Sequence, residues 1–448
     1  MSEQNSLSGR VARYANVGVG VGGAVARIAA GRLFGGEAGS SEEGRLLAAA
    51  LGNLKGPLMK VAQLLATIPG ALPDGYVTEL LQLQSDAPPM GWAFVRRRMA
   101  AELGAGWQPK FASFEHEAAH AASLGQVHRA VSHAGEQLAC KLQYPDMESA
   151  IEADLTQLNA LFGLHRRMDP AIDTSEIAEE IGARLREELD YAREAKHMRL
   201  YAEMLGDTPA VNVPRPIAEL STRRLLTMTW LDGRRLLEFK PAALEIRNLL
   251  ARCLFEAWWR PFCGHGVIHG DPHLGNYSAA LDPRGEPTGL NLLDYGCVRI
   301  FPPSFVGGVV DLYHGLLDDD RARIVHAYET WGFRGLSNEL IDVLNIWAGF
   351  IYGPLMDDRV RPIADGVEPA AYGRKQAFTV HKALKEQGPV RVPREFVFMD
   401  RAAIGLGGVF IHLGAEMNFY RLFNAALEGF EVGAVARRQS AALANAGL

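Results

Sequence analysis

The sequence predicts an α+β protein with a small sheet-containing lobe, a helical lobe after it, and a helical extension before both. Two observations support this. Short strand-like segments occur in the middle of the chain, at 122–131, 138–143 and 224–230, with turn residues between them. Helical periodicity dominates at 41–110 and after residue 302.

The length of 448 residues exceeds what one hydrophobic core usually supports, so several domains are expected. We divide the chain where the hydrophobic pattern changes. The expected parts are a Gly/Ala-rich segment at 1–40, a helical extension at 41–110, a sheet-containing N-lobe at 111–233 and a helical C-lobe at 234–448.

The individual elements follow from the same periodicities. Helices of the extension are predicted at 42–65, 74–84 and 91–103, with prolines after the first two. Farther along, the sequence predicts the following elements: helices at 147–167, 175–205 and 242–263, a loop at 267–276, and a short strand at 290–293.

The composition argues against several classes of protein. The chain is 48% hydrophobic and 22% charged, which is typical of soluble globular proteins. Its net charge of -6 argues against a broad basic surface for nucleic acid. The four cysteines have no zinc-ligand spacing, and we expect reduced, mostly buried thiols in a cytoplasmic protein.

Membrane attachment is expected to be peripheral if it occurs. Every apolar run is shorter than the roughly 18 residues that a spanning helix needs. The stretch from Val17 to Gly35 is rich in Gly, Ala and Val, and we expect a helix there that packs tightly or touches lipid. The expected location is the cytoplasm or the inner face of a membrane.

The strongest chemical pattern is the pair of motifs HGDPHLGN at 269–276 and DYG at 294–296. Asp294 and Asn276 supply the kind of oxygen ligands that hold Mg²⁺ beside nucleotide phosphates, and Asp271 can orient a hydroxyl or a water. Both motifs also favour turns. Their occurrence together, in this order, is the pattern of the catalytic and metal loops of the kinase-like fold.

An upstream lysine supports this interpretation. Lys141 ends the strand-like segment LACK, where a lysine can contact the α- and β-phosphates of a nucleotide. Such a lysine needs a helix glutamate to hold it, and Glu188 on the predicted helix is the candidate. Alone, Lys141 would more often be a surface residue.

The same residues belong to a set that resembles the UbiB family of atypical kinases, which is linked to ubiquinone biosynthesis. The segment AASLGQVHRA at 121–130 resembles the family's Ala-rich nucleotide loop, and KLQYP at 141–145 resembles its lysine strand. ELD at 188–190 is similar to its Glu-x-Asp motif, and KVAQ at 60–63 to its Lys-x-Gly-Gln signature. The resemblance extends over about residues 55–298.

The resemblance implies an Mg²⁺-dependent ATPase or atypical kinase rather than a protein kinase. An Ala-rich loop replaces the usual Gly-rich loop, and the N-terminal helices are expected to fold over the site of a protein substrate. The implied cofactors are ATP, or ADP, and Mg²⁺. The implied partners are isoprenoid-lipid or quinone precursors, enzymes of ubiquinone biosynthesis and a membrane surface, without nucleic acid.

The resemblance also assigns roles to residues of this chain. Asp271 is expected to be catalytic, Lys141 and Glu188 to clamp phosphate, and Asn276 and Asp294 to hold the metal. The other residues expected to bind, line or cover the nucleotide are Ala121, Ala122, Ser123, Met228, Leu231, Lys60, Gln63 and Asp190. Met228 and Leu231 are assigned by position, as the limits of a hinge beside adenine.

Two positions depart from the family pattern. Ala62 stands where the family usually has glycine, and its methyl group limits backbone freedom and close approach. His120 precedes the Ala-rich loop where an alanine is usual. His120 could narrow the nucleotide pocket, but we expect an exposed residue without a function, because a lone histidine seldom acts without a partner.

The sequence also allows three other interpretations. The segment GVGVGG at 18–23 matches G-x-G-x-x-G, but no strand precedes it, so a dinucleotide site is not expected. A small-molecule phosphotransferase of the aminoglycoside or choline kinase type also uses H-G-D-x-x-x-x-N. A catalytically weak scaffold that binds nucleotide within a biosynthetic complex is the third alternative, since such a protein can keep every required residue.

Overall fold

A computed structural model describes residues 90–122, 124–152, 155–156, 175–364 and 393–448. The expected helices at 42–65 and 74–84 and the stretch from Val17 to Gly35 lie outside these residues, as does the segment GVGVGG. Within the described part of the chain, no helix is both long enough and apolar enough to cross a membrane.

The described part of the chain contains short strands and longer helices, numbered in chain order. The strands are β1 (Ser113–Phe114), β2 (His120–Ala122), β3 (Gly125–Val131), β4 (Gln137–Gln143), β5 (Val211–Asn212), β6 (Leu225–Thr229), β7 (Gly233–Arg235), β8 (Val267–His269), β9 (Tyr277–Leu281), β10 (Pro287–Leu292), β11 (Val298–Ile300), β12 (Arg361–Pro362) and β13 (Glu416–Met417). The helices are α1 (Trp92–Leu103), α2 (Ser175–Glu188), α3 (Tyr191–Met204), α4 (Leu244–His265), α5 (Pro303–Leu317), α6 (Arg321–Trp331), α7 (Asn338–Tyr352), α8 (Arg394–Leu413), α9 (Phe419–Leu427) and α10 (Val432–Ala446).

The chain divides into two compact units that interleave along the sequence. The first unit contains the residues up to Arg193 together with Ile217–Thr229. The second contains Glu194–Pro216 and Trp230–Leu448. The four parts expected from the sequence stay predictions, because these units follow contacts in space rather than continuous stretches of chain.

The first unit is organised by an antiparallel sheet in the order β1-β3-β4-β6, with β2 paired to β3 beside β1. In its register, Val127 lies opposite Lys141 and Gly125 opposite Gln143. Lys141 is in turn opposite Leu226 of β6. Because alternate residues of a strand point to the same face of the sheet, Lys141 and Gln143 of β4 lie on the same face.

The other face of this sheet packs on a hydrophobic cluster. Helix α1 contributes Val95 and Met99, and the chain after it contributes Trp107 and Phe111. The sheet contributes alternate residues, which are Ala130, Leu138, Cys140, Leu142 and Leu225. Fully burying one such large apolar side chain stabilises a fold by about 1.5–3 kcal/mol, so this cluster fixes α1 on the sheet.

Strand β3 departs from the usual pattern of an amphipathic strand. Its buried positions include the polar residues Gln126 and His128, whereas the alternating positions Val127 and Val131 are half-exposed. Burying an amide and an imidazole is unfavourable unless both are hydrogen-bonded. These two residues therefore have specific polar partners, described below.

The helix predicted at 175–205 is wrong in one respect, because the structure divides it into α2 and α3. The chain leaves the helical path at Leu189 and Asp190, and Asp190 Oδ1 accepts a hydrogen bond from Arg193 N at 3.0 Å. This is the bond that a helix N-cap provides. Tyr191 N donates instead to Arg223 O, which leads into β6.

The second unit combines a four-stranded sheet with helices. The sheet has the order β5-β10-β9-β7, in which β5 and β10 are parallel and the other pairs antiparallel. A separate antiparallel pair joins β8 to β11. Helix α4 packs on β8 and β10 and buries large residues such as Trp258 and Phe262. It ends at His265 and is capped by Gly266, whose φ of 65° is left-handed.

Most expected elements of the described part are confirmed. Helix α1, the β3–β4 hairpin with Gly135 in its turn, β6, α4 and the helices after residue 302 all form. The loop expected at 267–276 is partly wrong, since it contains β8 and a 3₁₀ turn at Leu274–Asn276. The four cysteines form no disulfide and three of them are buried, as expected.

Candidate active site

Asn276 and Asp294 are held near each other by a hairpin of the second unit. Strands β9 and β10 pair with Tyr277 opposite Leu292. One step beyond this pair, Leu293 N donates to Asn276 O at 2.9 Å. Asp294 is the next residue, so the two expected metal ligands flank the open end of the hairpin, Asn276 before β9 and Asp294 after β10.

A second connection joins the loop of Asp271 to the loop of Asp294. Gly270 N donates to Cys297 O at 2.7 Å, which continues the β8–β11 pairing. His269 Nε2 lies 2.6 Å from Asp294 O. A carbonyl oxygen only accepts, so His269 Nε2 carries the proton in this contact. The loops 270–276 and 293–297 are thus joined at both ends.

The donor arrangement at Asn276 and Asp294 fits a magnesium ion. Asn276 Nδ2 donates to Asp271 O at 2.9 Å, which turns the amide oxygen to the opposite side. Asp294 Oδ1 accepts from Gly296 N at 2.9 Å, which fixes the orientation of the carboxylate. Oxygen donors of these two types are what Mg²⁺ prefers.

The described residues contain no group of three or more His, Cys, Asp or Glu side chains suited to hold a metal. With two protein ligands, a cation at Asn276 and Asp294 would complete its coordination with phosphate oxygens and waters. This is how Mg²⁺ is usually bound in sites that handle nucleotides.

Buried tyrosines lie next to the residues of these loops in the sequence, since Tyr277 follows Asn276 and Tyr295 follows Asp294. Burial raises the pKa of the Tyr277 phenol, and the negative charges of Asp271 and Asp294 raise it further. Trp258 Nε1 donates to the Tyr277 hydroxyl at 3.4 Å. Burial likewise raises the pKa of Tyr295 well above its ordinary value, with smaller contributions from Tyr201 and Asp294. Both phenols therefore stay neutral beside the carboxylates.

Helix α3 contributes three residues to this region that the sequence analysis missed. His197 Nδ1 contacts Tyr295 O at 3.0 Å, and Tyr295 N donates to Glu194 Oε1 at 3.4 Å. The Tyr201 ring lies edge-on to the Tyr295 ring at 5.4 Å. Glu194, His197 and Tyr201 recur at steps of three and four, so the polar stripe on one helix face was a readable signal.

The structure places Lys141 on β4 of the first unit, where it is 8% exposed. Its Nζ lies 5.1 Å from the centre of the Tyr191 ring, and Gln143 on the same face donates to Leu189 O. Strand β4 is thereby fixed against the segment that joins α2 to α3. That segment begins after Glu188 and includes Asp190, so the chain that carries these two acidic residues lies next to the strand that carries Lys141.

The Ala-rich segment forms a tight hairpin. In its register, Ala121 lies opposite Gln126 and Ala122 opposite Gly125, with Ser123 outside the described residues. A Cβ atom at Gly125 would overlap the Leu142 carbonyl oxygen, so glycine is required there. His120 begins β2 and is exposed, as the sequence suggested.

The remaining expected residues are separated among different parts of the chain. Met228 is buried on β6 opposite Ala139 of β4 in the first unit, and Leu231 is half-buried in the second unit. Lys60, Gln63 and Ala62 lie outside the described residues. The roles assigned to all these residues stay predictions.

These loops, the lysine strand and the mixed α+β architecture define the class of atypical kinase-like proteins. The family model described as "ABC1 atypical kinase-like domain" matches residues 82–328, more than half of the chain. The chain belongs to this family, which confirms the UbiB-type resemblance seen in the sequence.

Named relatives agree with this membership. The chloroplastic Protein ACTIVITY OF BC1 COMPLEX KINASE 1 of Arabidopsis thaliana is 27% identical over 381 residues, covering 82% of this chain and 52% of that protein. The mitochondrial Atypical kinase COQ8 of Saccharomyces cerevisiae is 28% identical over 254 residues, covering 56% of this chain and 50% of that protein. The chain spans about half the length of the curated relatives it matches.

A solved structure supports the predicted fold class along most of the chain. The Rv3197–erythromycin complex from Mycobacterium tuberculosis contains a chain that superposes with a TM-score of 0.58 at 27% sequence identity. The match covers 93% of this chain and 98% of that chain. The expected α+β, kinase-like fold is therefore confirmed.

Proposed function

We propose that this protein binds ATP with Mg²⁺ and hydrolyses or transfers its terminal phosphate, in support of ubiquinone or other isoprenoid-lipid biosynthesis at a membrane. The observation that carries the proposal is the joining of loops 270–276 and 293–297 at both ends. This arrangement keeps Asn276 and Asp294 close to each other. The Asn276 NH₂ group donates to the Asp271 carbonyl, so the Asn276 amide oxygen faces the opposite side. Family membership supports it.

In this proposal each site residue has a distinct task. When bound, Mg²⁺ neutralises phosphate charge and aligns the phosphates. Asn276 and Asp294 hold the ion, and Asp271 orients the hydroxyl or water that attacks. Lys141 contacts the α- and β-phosphates, and Glu188 keeps its ammonium in place. The residues proposed to line or cover the nucleotide are Ala121, Ala122, Ser123, Met228, Leu231, Lys60, Gln63 and Asp190.

The lipid context of the proposal comes from relatives. The yeast relative is named an atypical kinase COQ8 and is mitochondrial, and the plant relative is chloroplastic. The mycobacterial relative was solved in complex with the small molecule erythromycin. We therefore propose a lipophilic small molecule, such as a quinone or isoprenoid precursor, as the second ligand, with the membrane surface and biosynthetic enzymes as partners.

The test is Mg²⁺-dependent nucleotide binding and ATP hydrolysis by the purified protein, with and without vesicles that contain anionic lipid. Asp294→Asn is the diagnostic variant, because it removes a charge at the metal without changing shape. Asp282→Asn is its matched control. Asp282 lies in the closed turn of the same hairpin, where its carboxylate accepts from Arg284 N and Glu286 N, and asparagine suits such a turn.

Ligand binding should stabilise wild type by about 2.7 kcal/mol at a hundredfold excess over the dissociation constant, which a melting curve detects. We expect wild type and Asp282→Asn to bind and hydrolyse ATP, and Asp294→Asn to lose turnover. Binding without turnover in wild type would favour the scaffold role. A wild-type protein that binds no nucleotide would refute the roles of Lys141, Asn276 and Asp294.

A further inference from the structure

Gln126 and His128 form a buried polar network on the hydrophobic face of β3, where each is 0% exposed. The Gln126 amide contacts the backbone of Met90 twice. Gln126 Nε2 donates to Met90 O at 3.2 Å, and Met90 N donates to Gln126 Oε1 at 2.5 Å. Gln126 Nε2 also lies 2.8 Å from His128 Nε2, and His128 Nδ1 lies 2.9 Å from Glu115 O.

These contacts have a single consistent arrangement of protons. The Glu115 carbonyl only accepts, so His128 Nδ1 carries the proton and His128 Nε2 is an acceptor. The group of Gln126 that faces His128 must then be the NH₂ group. This leaves the Gln126 oxygen as the atom that faces Met90 N. A neutral His128 thus fixes the orientation of Gln126, and Gln126 in turn satisfies both backbone groups of Met90.

The position of this network relates it to the candidate nucleotide loop. Gln126 lies opposite Ala121 in the β2–β3 hairpin. Val127, between Gln126 and His128, lies opposite Lys141. Gln126 therefore contacts Met90 on one face of the sheet, and the next residue, Val127, lies beside Lys141 on the other face. Lys60 and Gln63 precede Met90 in the sequence.

We propose that Gln126 and His128 are positioning residues that couple the chain at Met90 to the nucleotide hairpin. Met90, Glu115, Gln126 and His128 are called the Met90 tether. Apolar residues at 126 and 128 would fill this space without fixing the direction of the chain, whereas a satisfied amide network does fix it. The inference rests on the proposed nucleotide site. Nucleotide should stabilise the tether, and an intact tether should strengthen nucleotide binding by the same factor.

The test follows hydrogen exchange at the Met90 amide in the full chain, with and without Mg-ATP. Pro88 and Pro89 have no N–H, so Met90 carries the first exchangeable amide after Ala87. In wild type, Mg-ATP should slow this exchange. Gln126→Met, which keeps length but removes the amide, should speed exchange by about tenfold without nucleotide. It should also abolish the slowing by Mg-ATP and raise the dissociation constant of Mg-ATP.

A conservative variant separates positioning from simple packing. His128→Gln keeps an amide oxygen that can accept from Gln126, so we expect Met90 exchange closer to wild type than in His128→Leu. The controls are Gln137→Met and His133→Gln, which make the same changes at exposed positions beside the β3–β4 turn. Neither control should alter Met90 exchange or its response to Mg-ATP.

The outcomes are distinct. If Gln126→Met folds and its Met90 amide exchanges at the wild-type rate, the tether is refuted. If Gln126→Met does not fold, equal Met90 exchange rates in His128→Gln and His128→Leu refute it. Nucleotide binding that never slows Met90 exchange in wild type overturns the coupling. A wild type that binds no nucleotide refutes the proposed function as well, whereas binding with an unresponsive Met90 refutes only the coupling.

Discussion

The two units hold their candidate site residues by different means. In the second unit, backbone hydrogen bonds join the loops of Asp271, Asn276 and Asp294, through Leu293 N to Asn276 O and Gly270 N to Cys297 O. In the first unit, buried side chains fix the lysine strand, as Gln143 does through its bond to Leu189 O. Side-chain replacements should therefore change chemistry in the second unit and geometry in the first.

The largest expected effect is a loss of ATP turnover from a substitution in the second unit that leaves the geometry of its loops intact. Asp271→Asn removes a charge, whereas the bond between Asn276 and the Asp271 backbone carbonyl remains. We expect ATP turnover to fall by about 10²–10³-fold, comparable to the loss of a group that acts in the transition state. The melting temperature should stay near that of wild type.

The control for Asp271→Asn is the same change at Asp318, an exposed residue at the end of α5. It should leave turnover unchanged. A strongly destabilised Asp271→Asn protein would contradict the idea that backbone bonds hold this half of the site.

The next largest effect is a loss of stability from a substitution that disturbs the strand pairing of the first unit. Gly125→Ala puts a methyl group against the Leu142 carbonyl oxygen, so β3 and β4 must separate locally. We expect the free energy of unfolding to fall by about 3 kcal/mol, at the upper end for overpacking. Denaturant unfolding measures this. Gly106→Ala, where no atom lies within 4 Å of the added carbon, should change stability by less than about 0.5 kcal/mol.

A smaller effect tests whether the geometry of the first unit reaches Lys141. Gln143→Met leaves the Leu189 carbonyl without its buried donor, so stability should fall by about 1–2 kcal/mol. Lys141 shares the face of β4 with Gln143, and the dissociation constant of Mg-ATP should therefore rise. Gln108→Met, at an exposed position of the same unit, should change neither. An unaltered affinity in Gln143→Met would show that Lys141 is positioned independently.

The smallest effect concerns pH. Burial lowers the pKa of His128, against opposing contributions from the Glu115 carbonyl and the charges of Glu117 and Glu115, and with His116 lowering it further. The unfolded chain therefore binds the proton more readily. The contribution of neutral His128 to the free energy of unfolding is fully present above about pH 6.5. It is lost as the pH falls toward the pKa of His128 in the folded protein.

Melting curves between about pH 7.5 and pH 5 measure this dependence. Burial also lowers the pKa values of His265 and His314 in the second unit, so part of the decline belongs to that unit. His128→Gln should make the decline shallower, whereas exposed His133→Gln should leave it unchanged. An equal slope in wild type and His128→Gln would contradict this assignment.

The sequence predicted features that depend on neighbours along the chain. The β3–β4 hairpin surrounds a glycine turn, and α1 has a helical period, so both were predictable. Strands β8 and β11 were missed, because each has three residues and its partner lies about thirty residues away. The break between α2 and α3 was missed because Asp190 fits a helical pattern, although aspartate is a good N-cap.

The same contrast applies to the candidate site. Asp271, Asn276 and Asp294 were found because their spacing along the chain is itself a pattern. The Met90 tether was not found, because Met90 and Gln126 are 36 residues apart. Met90 also contributes only backbone atoms to the contact, and the residue type at position 90 does not reveal them. Glu194 and His197 formed a helical stripe, but only the structure brings that stripe to Tyr295.

The interleaving of the two units has a consequence for synthesis on the ribosome. Strand β6 pairs with β4 along Leu138–Leu142, yet residues 194–216, which precede β6 in the chain, belong to the other unit. The sheet that carries Lys141 therefore cannot be completed until residues beyond 229 have left the exit tunnel. Fragments cut at a continuous boundary, such as residues 1–193, would lack β6, one of the two described strands that pair with the lysine strand. We therefore expect such a fragment to aggregate rather than to fold independently as the first unit.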